Sequence, residues 1–264
     1  MISIIIPAHN EEKRIGKILD NYGRFFEEKK KNREIKDFEI LVVLNNTNDN
    51  TEDVVKKFSK KYPEIRNCLN FKEKGKGFAI IRGFEDALKR NNQLIGFVDA
   101  DMSTPPEAYY DLIKNIKGYD GIIANRWDKK SVINTKQNLL RRFVSRGYNI
   151  IVRTFFFFNY KDTQCGAKLF KREILKNHLK KIVSTQWNFD VALLFCLKKE
   201  ANARIISIPT IWNDEKESKI NIRKTPIAML LSVIKLRLIH SPFRFIVRFY
   251  RKLPNKLRIH ERLG

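Results

Sequence analysis

Cysteine is scarce in this chain of 264 residues. Cys68, Cys165 and Cys196 are odd in number, widely spaced and free of any CxxC pair. That excludes a disulfide framework and a CxxC metal site, and points to a reducing compartment. Long apolar runs are missing too. A membrane-spanning helix needs about 20 apolar residues, and the nearest approach, residues 227–239, is broken by Lys235 and Arg237. Residues 2–6 (ISIII) are too short for a signal peptide and run straight into Pro7. The expectation is a peripheral protein on the cytosolic side of a membrane. There is no GxGxxG, no Walker A spacing, no internal repeat and no low-complexity linker. Acidic residues are also in short supply: 29 against 53 Lys and Arg, a net charge of +24. From Lys219 onward a dozen basic residues are opposed by Glu261 alone. A polyanionic partner is therefore expected: nucleic acid, anionic lipid or a phosphorylated substrate. No recognisable nucleic-acid-binding module is present.

What is present is an alternation of short apolar runs and amphipathic segments. SIIIP (3–7), FEILVVL (38–44), LIGFVDA (94–100) and GIIAN (121–125) read as strands buried on both faces. Residues 11–28, 51–61, 78–90 and 105–115 read as the intervening helices, with Asn10 as N-cap of the first. This predicts an α/β fold with a mainly parallel sheet flanked by helices. Beyond Arg126 the spacing predicts helices over 136–157 and 189–199 and one strand over 203–212. Polar residues cluster at 213–225, suggesting a domain over 1–220 and a basic, amphipathic helical extension over 221–264.

In an open parallel sheet ligands bind beyond the carboxyl ends of the strands. The polar clusters 7–12, 45–51 and 99–103 all fall at that edge. Asp99-Ala100-Asp101 ends an apolar strand, so two carboxylates two residues apart can share a divalent cation. Mg²⁺ or Mn²⁺, which favour oxygen ligands and substrate phosphates, fit such a pair. Lys74-Gly75-Lys76-Gly77 offers glycines for close backbone approach and lysines for phosphate charge. A nucleic-acid-binding protein would account for the charge but not for the acidic pair.

SIIIPAHNEE, EILVVLNNTNDNT, KGKGFAIIRGFEDA and FVDADMSTPPE, in that order, resemble the signatures of family 2 glycosyltransferases with the GT-A (Rossmann-like) fold. RRFVSRGYN, DTQCGAKLF, WNFD and IPTIWND resemble the subgroup that glycosylates polyprenyl (dolichyl) phosphate. The resemblance spans roughly residues 1–220 and implies a metal-dependent, inverting transfer of a hexose from a nucleotide sugar to a polyprenyl phosphate. It places the nucleotide sugar on Pro7, Ala8, Asn10, Glu11, Asn45, Asp49, Lys76, Gly77, Asp99, Ala100 and Asp101, and the metal on Asp99 and Asp101. The family's acidic pair after the second strand is replaced by Leu44 and Asn45, so the usual nucleotide is not implied. Acceptor phosphate is assigned to Arg126, Arg141, Ser145 and Gln164, with Arg142 and Arg146 as neighbours able to serve instead. Asp190 stands where many relatives place a general base, and a hydroxyl acceptor, the alternative substrate class, would require one. Trp187 and Trp212 are stacking candidates for sugar or acceptor. The basic tail and the aromatic run 155–158 are expected at an anionic membrane surface.

Overall fold

The computed structural model describes residues 1–71, 75–134, 139–182, 188–214 and 225–245, with backbone alone for 67–70, 139–141 and 225–227. A seven-stranded sheet forms its centre. The strands are β1 (Ile2–Ala8), β2 (Phe38–Asn45), β3 (Ile65–Phe71), β4 (Leu94–Phe97), β5 (Gly121–Asn125), β7 (Lys168–Lys171) and β8 (Ile205–Pro209). Their order is β3-β2-β1-β4-β7-β5-β8. All neighbours pair in parallel except β7, which runs antiparallel between β4 and β5. A two-stranded parallel ribbon joins β6 (Val132–Ile133) to β9 (Ile211–Trp212).

The mainly parallel sheet expected from the apolar runs is present. β1 and β2 are buried almost throughout, as strands covered on both faces must be. Two large apolar clusters lie on the sheet. One contains Ile5, Val43, Phe84, Phe97 and Phe170; the other contains Ile4, Tyr22, Phe26, Leu44 and Tyr109.

Several boundaries differ from the sequence reading. β3 was not expected, because IRNCLNF mixes polar and apolar residues as an edge strand does. The helix expected from residue 11 begins at Ile15 (α1, Ile15–Lys31), and Asn10 does not cap it. Asn10 is left-handed (φ 52) and its side chain accepts a hydrogen bond from Asn48 N. The strand expected over 203–212 divides into β8 and β9 around Thr210. Pro209 supplies no backbone donor, and Thr210 N turns to Ser131 Oγ at 3.0 Å. The remaining helices are α2 (Thr51–Lys61), α3 (Lys76–Ala87), α4 (Pro106–Asn115), α5 (Leu139–Phe156), α6 (Arg172–His178), α7 (Phe189–Ala201) and α8 (Thr225–Ile239). α8 packs against α5, with Val233 and Leu236 fully buried in the core. Among the described residues no helix is long and apolar enough to cross a membrane.

Candidate active site

Three loops at the carboxyl edge of β1, β2 and β4 converge. The chain leaving β1 is braced to the loop after β2. His9 Nδ1 meets the Asn45 carbonyl at 2.8 Å, Glu11 N donates to Thr51 Oγ1 at 2.8 Å, and Glu12 N donates to Asp49. Asp49 also accepts from Thr51 N. Burial works against its charge, but these donors outweigh it and hold the carboxyl below its usual range. Asn45 is buried and its amide donates to the Gly75 carbonyl at 3.3 Å. Glu11 is clamped to Arg14. Among the candidate donor residues, then, Asn10, Glu11, Asn45 and Asp49 shape the loops around Pro7 and Ala8. Lys74 lies outside the described residues.

Gly75 opens α3 with φ 122, a conformation that side-chain-bearing residues rarely adopt. It delivers Lys76 and Gly77 to the tip of β4, where Lys76 Nζ lies 2.5 Å from Asp99 Oδ1. Desolvation opposes the Lys76 ammonium, yet Asp99, Asp190 and Asp101 together keep its pKa above the ordinary lysine value. Both partners of the Lys76–Asp99 pair are about a third exposed.

β4 ends in the acidic pair. Asp101 is held by Ser103 N at 3.0 Å, and the following Met102 is left-handed (φ 61). Burial, then the neighbouring Asp99 charge, push the Asp101 carboxyl above its usual range. Two carboxylates so close, one of them pushed up by the other's charge, form a donor set that a divalent cation would relieve. Among the described residues no third His, Cys, Asp or Glu joins them. The protein thus offers two oxygen donors and leaves the remaining positions to phosphate and water, as Mg²⁺ and Mn²⁺ sites usually do. Gly166 fits the same picture. A Cβ there would collide with the Asp99 carboxylate, so only glycine lets the 162–166 loop close on the pair. In that loop Gln164 Nε2 is buried with no hydrogen-bond partner in the protein, a donor available to a ligand oxygen.

On the far side of this loop, Asp162 is fully buried and gathers five donors: Arg126 N, Nε and Nη2, Gln164 N and Cys165 N. Burial opposes its charge, but Arg126 wins and holds it below the usual carboxylate range. Arg126 is thereby fixed as one wall of a cavity of about 450 Å³ lined also by Trp127, Asp128, Lys129, Ser131, Ile133, Arg142, Arg146 and Trp212. Guanidinium and indole groups alternate around it: Arg126 sits 5.2 Å from the Trp212 ring centre and Arg146 5.0 Å from that of Trp127. Trp127 Nε1 is a buried donor without a partner. Among the described residues, Arg142 and Arg146 have no carboxylate partner. Of the four acceptor candidates, Arg126 lines the cavity and Gln164 lies on the adjoining loop. Ser145 is half-buried on α5 outside the lining, and the Arg141 side chain and Trp187 lie outside the described residues.

Lys168 was not anticipated. It is fully buried on β7 and donates to Asp190 Oδ1 at 2.5 Å and the Cys165 carbonyl at 2.6 Å. Its ammonium lies 5.3 Å from the Phe97 ring centre, the same ring that Lys76 approaches at 5.7 Å. A lysine inside the apolar run AKLF was the available sequence signal, since a buried ammonium demands a carboxylate partner. Burial would raise the Asp190 carboxyl, but Lys168 and Lys76 dominate and hold it below its usual range. Asp190, the candidate general base, is thus held in an ion pair with Lys168.

The sequence profile of Glycosyl transferase family 2 matches residues 3–179. A dolichyl-phosphate beta-glucosyltransferase of Trichomonas vaginalis is 32% identical over 248 residues, covering 90% of this chain and 73% of that protein. A second of the same name and organism is 30% identical over 226 residues, covering 83% and 66%. About a quarter to a third of each relative's length thus lies outside the match. In fold, the chain resembles glucosyl-3-phosphoglycerate synthase from Mycobacterium tuberculosis, solved with Mn²⁺, uridine diphosphate and glucosyl-3-phosphoglycerate. The TM-score is 0.60 at 17% identity, covering 90% of this chain and 78% of that one. With two carboxylates following β4, a guanidinium-lined cavity and a family profile spanning most of the sheet, this chain belongs to glycosyl transferase family 2 and has the GT-A fold.

Proposed function

We propose that this protein transfers a hexose from a nucleotide sugar to a polyprenyl (dolichyl) phosphate, with inversion, at the cytosolic face of a membrane. The observation that carries this reading is an arginine-lined pocket next to a candidate base that is already ion-paired, Asp190 with Lys168. Asp190, where a hydroxyl acceptor would want its base, is ion-paired to Lys168, which makes it a weaker proton acceptor. A phosphate monoester needs no base, since its second pKa is about 6 and it is already ionised at neutral pH. Arg126, Arg142 and Arg146 would hold that phosphate, guanidinium being suited to its oxygens and never losing charge.

In the reaction a phosphate oxygen attacks the anomeric carbon as the bond from that carbon to the nucleoside diphosphate breaks on the opposite face. Asp99 and Asp101 would hold Mg²⁺ or Mn²⁺, which when bound stabilises the negative charge of the leaving diphosphate. Lys76, drawn to Asp99, would add positive charge beside the same oxygens, and Gln164 would donate its unpartnered N–H. The gain comes from positioning two anions against fixed positive charge. The relatives' names favour glucose as the sugar. The basic residues after Lys219 would hold the enzyme at an anionic leaflet, each worth about 1 kcal/mol near the surface.

The test is incubation with membrane lipid extract, Mn²⁺ or Mg²⁺ and a panel of labelled nucleotide sugars. Label entering the lipid phase from one donor supports the reading. Label appearing only in water-soluble products contradicts it.

A further inference from the structure

α5 has two unlike faces. Tyr148, Val152 and Phe156, four residues apart, are buried in the core. On the opposite side Phe143, Ile150 and Phe157 are 72%, 61% and 78% exposed. The spacing of seven keeps Phe143 and Ile150 within about 20° of one another around the helix axis, and Phe157 follows immediately after the helix ends. Large apolar side chains rarely stand in water in such a row without a partner. Phe157 is the clearest case. Its neighbours Phe156 and Phe158 are buried and stack on each other at 5.8 Å, and Phe157 takes a left-handed conformation (φ 54) that turns it outward. The left-handed turn ends the helix, with Phe158 N closing on the Arg153 carbonyl at 3.2 Å, and leaves the Phe157 ring exposed.

The row has a charged flank. Arg142, Arg146 and Arg153 follow one another roughly 60° around the helix from the apolar row, and no acidic residue occurs anywhere in α5. Arg142 and Arg146 are the same residues that line the guanidinium cavity. Near the other end of α5, Phe156 packs on Phe195 at 4.8 Å and Phe195 on His240 at 4.9 Å. This brings up the turn carrying Phe243 and Phe245, 57% and 61% exposed, with exposed Arg244 between them. Apolar residues bordered by uncompensated arginines match an anionic bilayer surface, where helices settle with their apolar face about 5–10 Å into the headgroup and acyl boundary. A second copy of this chain, at +24, would bring the same arginines face to face.

We propose that the outer face of α5 is a bilayer-docking surface. Phe143, Ile150 and Phe157 enter the acyl boundary, and the arginine flank lies at headgroup depth. The inference deepens the lipid-phosphate reading: the helix that grips the bilayer is the helix that lines the cavity, so the acceptor phosphate is met at the depth where it resides.

The test uses the full chain with Phe143→Ser, Ile150→Ser and Phe157→Asn combined, none of which lines the cavity. Asn tolerates the left-handed conformation. Flotation with phosphatidylcholine–phosphatidylglycerol vesicles should show partitioning reduced by at least about 100-fold, with the thermal transition unchanged. Turnover of long-chain polyprenyl phosphate in vesicles should fall, and turnover of a short, water-soluble polyprenyl phosphate should stay at the parent level. Unchanged flotation overturns the proposal. So does a dimer of the parent protein, without vesicles, that the triple variant converts to monomer. Should neither protein glycosylate the short acceptor, the lipid-phosphate reading fails, and flotation still decides the docking surface.

Discussion

The two halves of the site handle charge in opposite ways. Around the tips of β1 and β2 the polar groups bind one another: Asn10 to Asn48, Glu11 to Arg14, Glu12 to Asn50, Asp49 to Thr51. Around α5 and β9 the arginines gather in a cavity with indoles, and among the described residues Arg142 and Arg146 meet no carboxylate. A loop region that satisfies itself is a preformed mould, suited to a ligand recognised by shape and backbone. Two guanidinium groups with no carboxylate among the described residues, beside the Asp162-bound Arg126, leave positive charge for an anion to meet. The loop 162–166 joins the two, Gly166 touching Asp99 on one side and Asp162 holding Arg126 on the other. One loop thereby links the acidic pair to the arginine cavity.

That contrast is broken most severely at the acidic pair. Asp101→Ala should reduce transfer by about 1,000-fold or more, since several kcal/mol of charge stabilisation on the leaving group go with it. The fold should persist, because Asp101 is held only by the local Ser103 contact. Steady-state rates alongside circular dichroism check both halves of the statement.

The next largest effect concerns stability. Lys168→Met leaves the Asp190 carboxylate buried and unpaired and should cost about 3–5 kcal/mol in urea unfolding. Adding Asp190→Leu should restore much of it. The pH dependence follows in sign. Asp190 and Asp162 have folded pKa values below their unfolded ones, so their stabilisation is complete above about pH 4 and drains away as pH falls through the folded values. The double variant, lacking one of these groups, should lose stability less steeply below pH 4.

On the acceptor side, Arg142→Gln and Arg146→Gln should each raise the acceptor KM about 10- to 100-fold with donor KM little changed, as loss of a charge-assisted phosphate contact predicts. Equal effects on both substrates would erase the division of the site into two halves. Per residue, the smallest expected effect lies in the tail. Replacing Arg248, Arg251 and Lys252 with Gln should weaken binding to anionic vesicles about fivefold per residue, with the loss fading at high salt.

The sequence was informative where one residue type serves one purpose. The apolar runs of β1, β2, β4 and β5 announce buried parallel strands, and Asp99 and Asp101 announce themselves by ending one of them. β3 and β7 were harder. An edge strand need not be apolar, and nothing in KLFK shows that it will insert antiparallel between β4 and β5. The Lys168–Asp190 pair joins residues 22 apart, so either partner alone reads as an ordinary charge. In the RRFVSR segment each residue advances about 100° around the helix. That rotation decides which arginines meet the cavity, and Arg142 and Arg146 do so where Ser145 does not. α8 shows the limit of composition: its apolar residues read as a membrane-facing tail, yet Val233 and Leu236 belong to the core.

The central claim is that the arginine cavity receives a phosphate and that no base is required. Its most direct test is a matched pair of acceptors, a polyprenyl phosphate and the corresponding free polyprenol, offered with the same labelled nucleotide sugar and Mn²⁺. Label should pass to the phosphate and not to the alcohol. Comparable transfer to the free polyprenol would show that a hydroxyl is activated here, and the account of Asp190 and the cavity would be wrong.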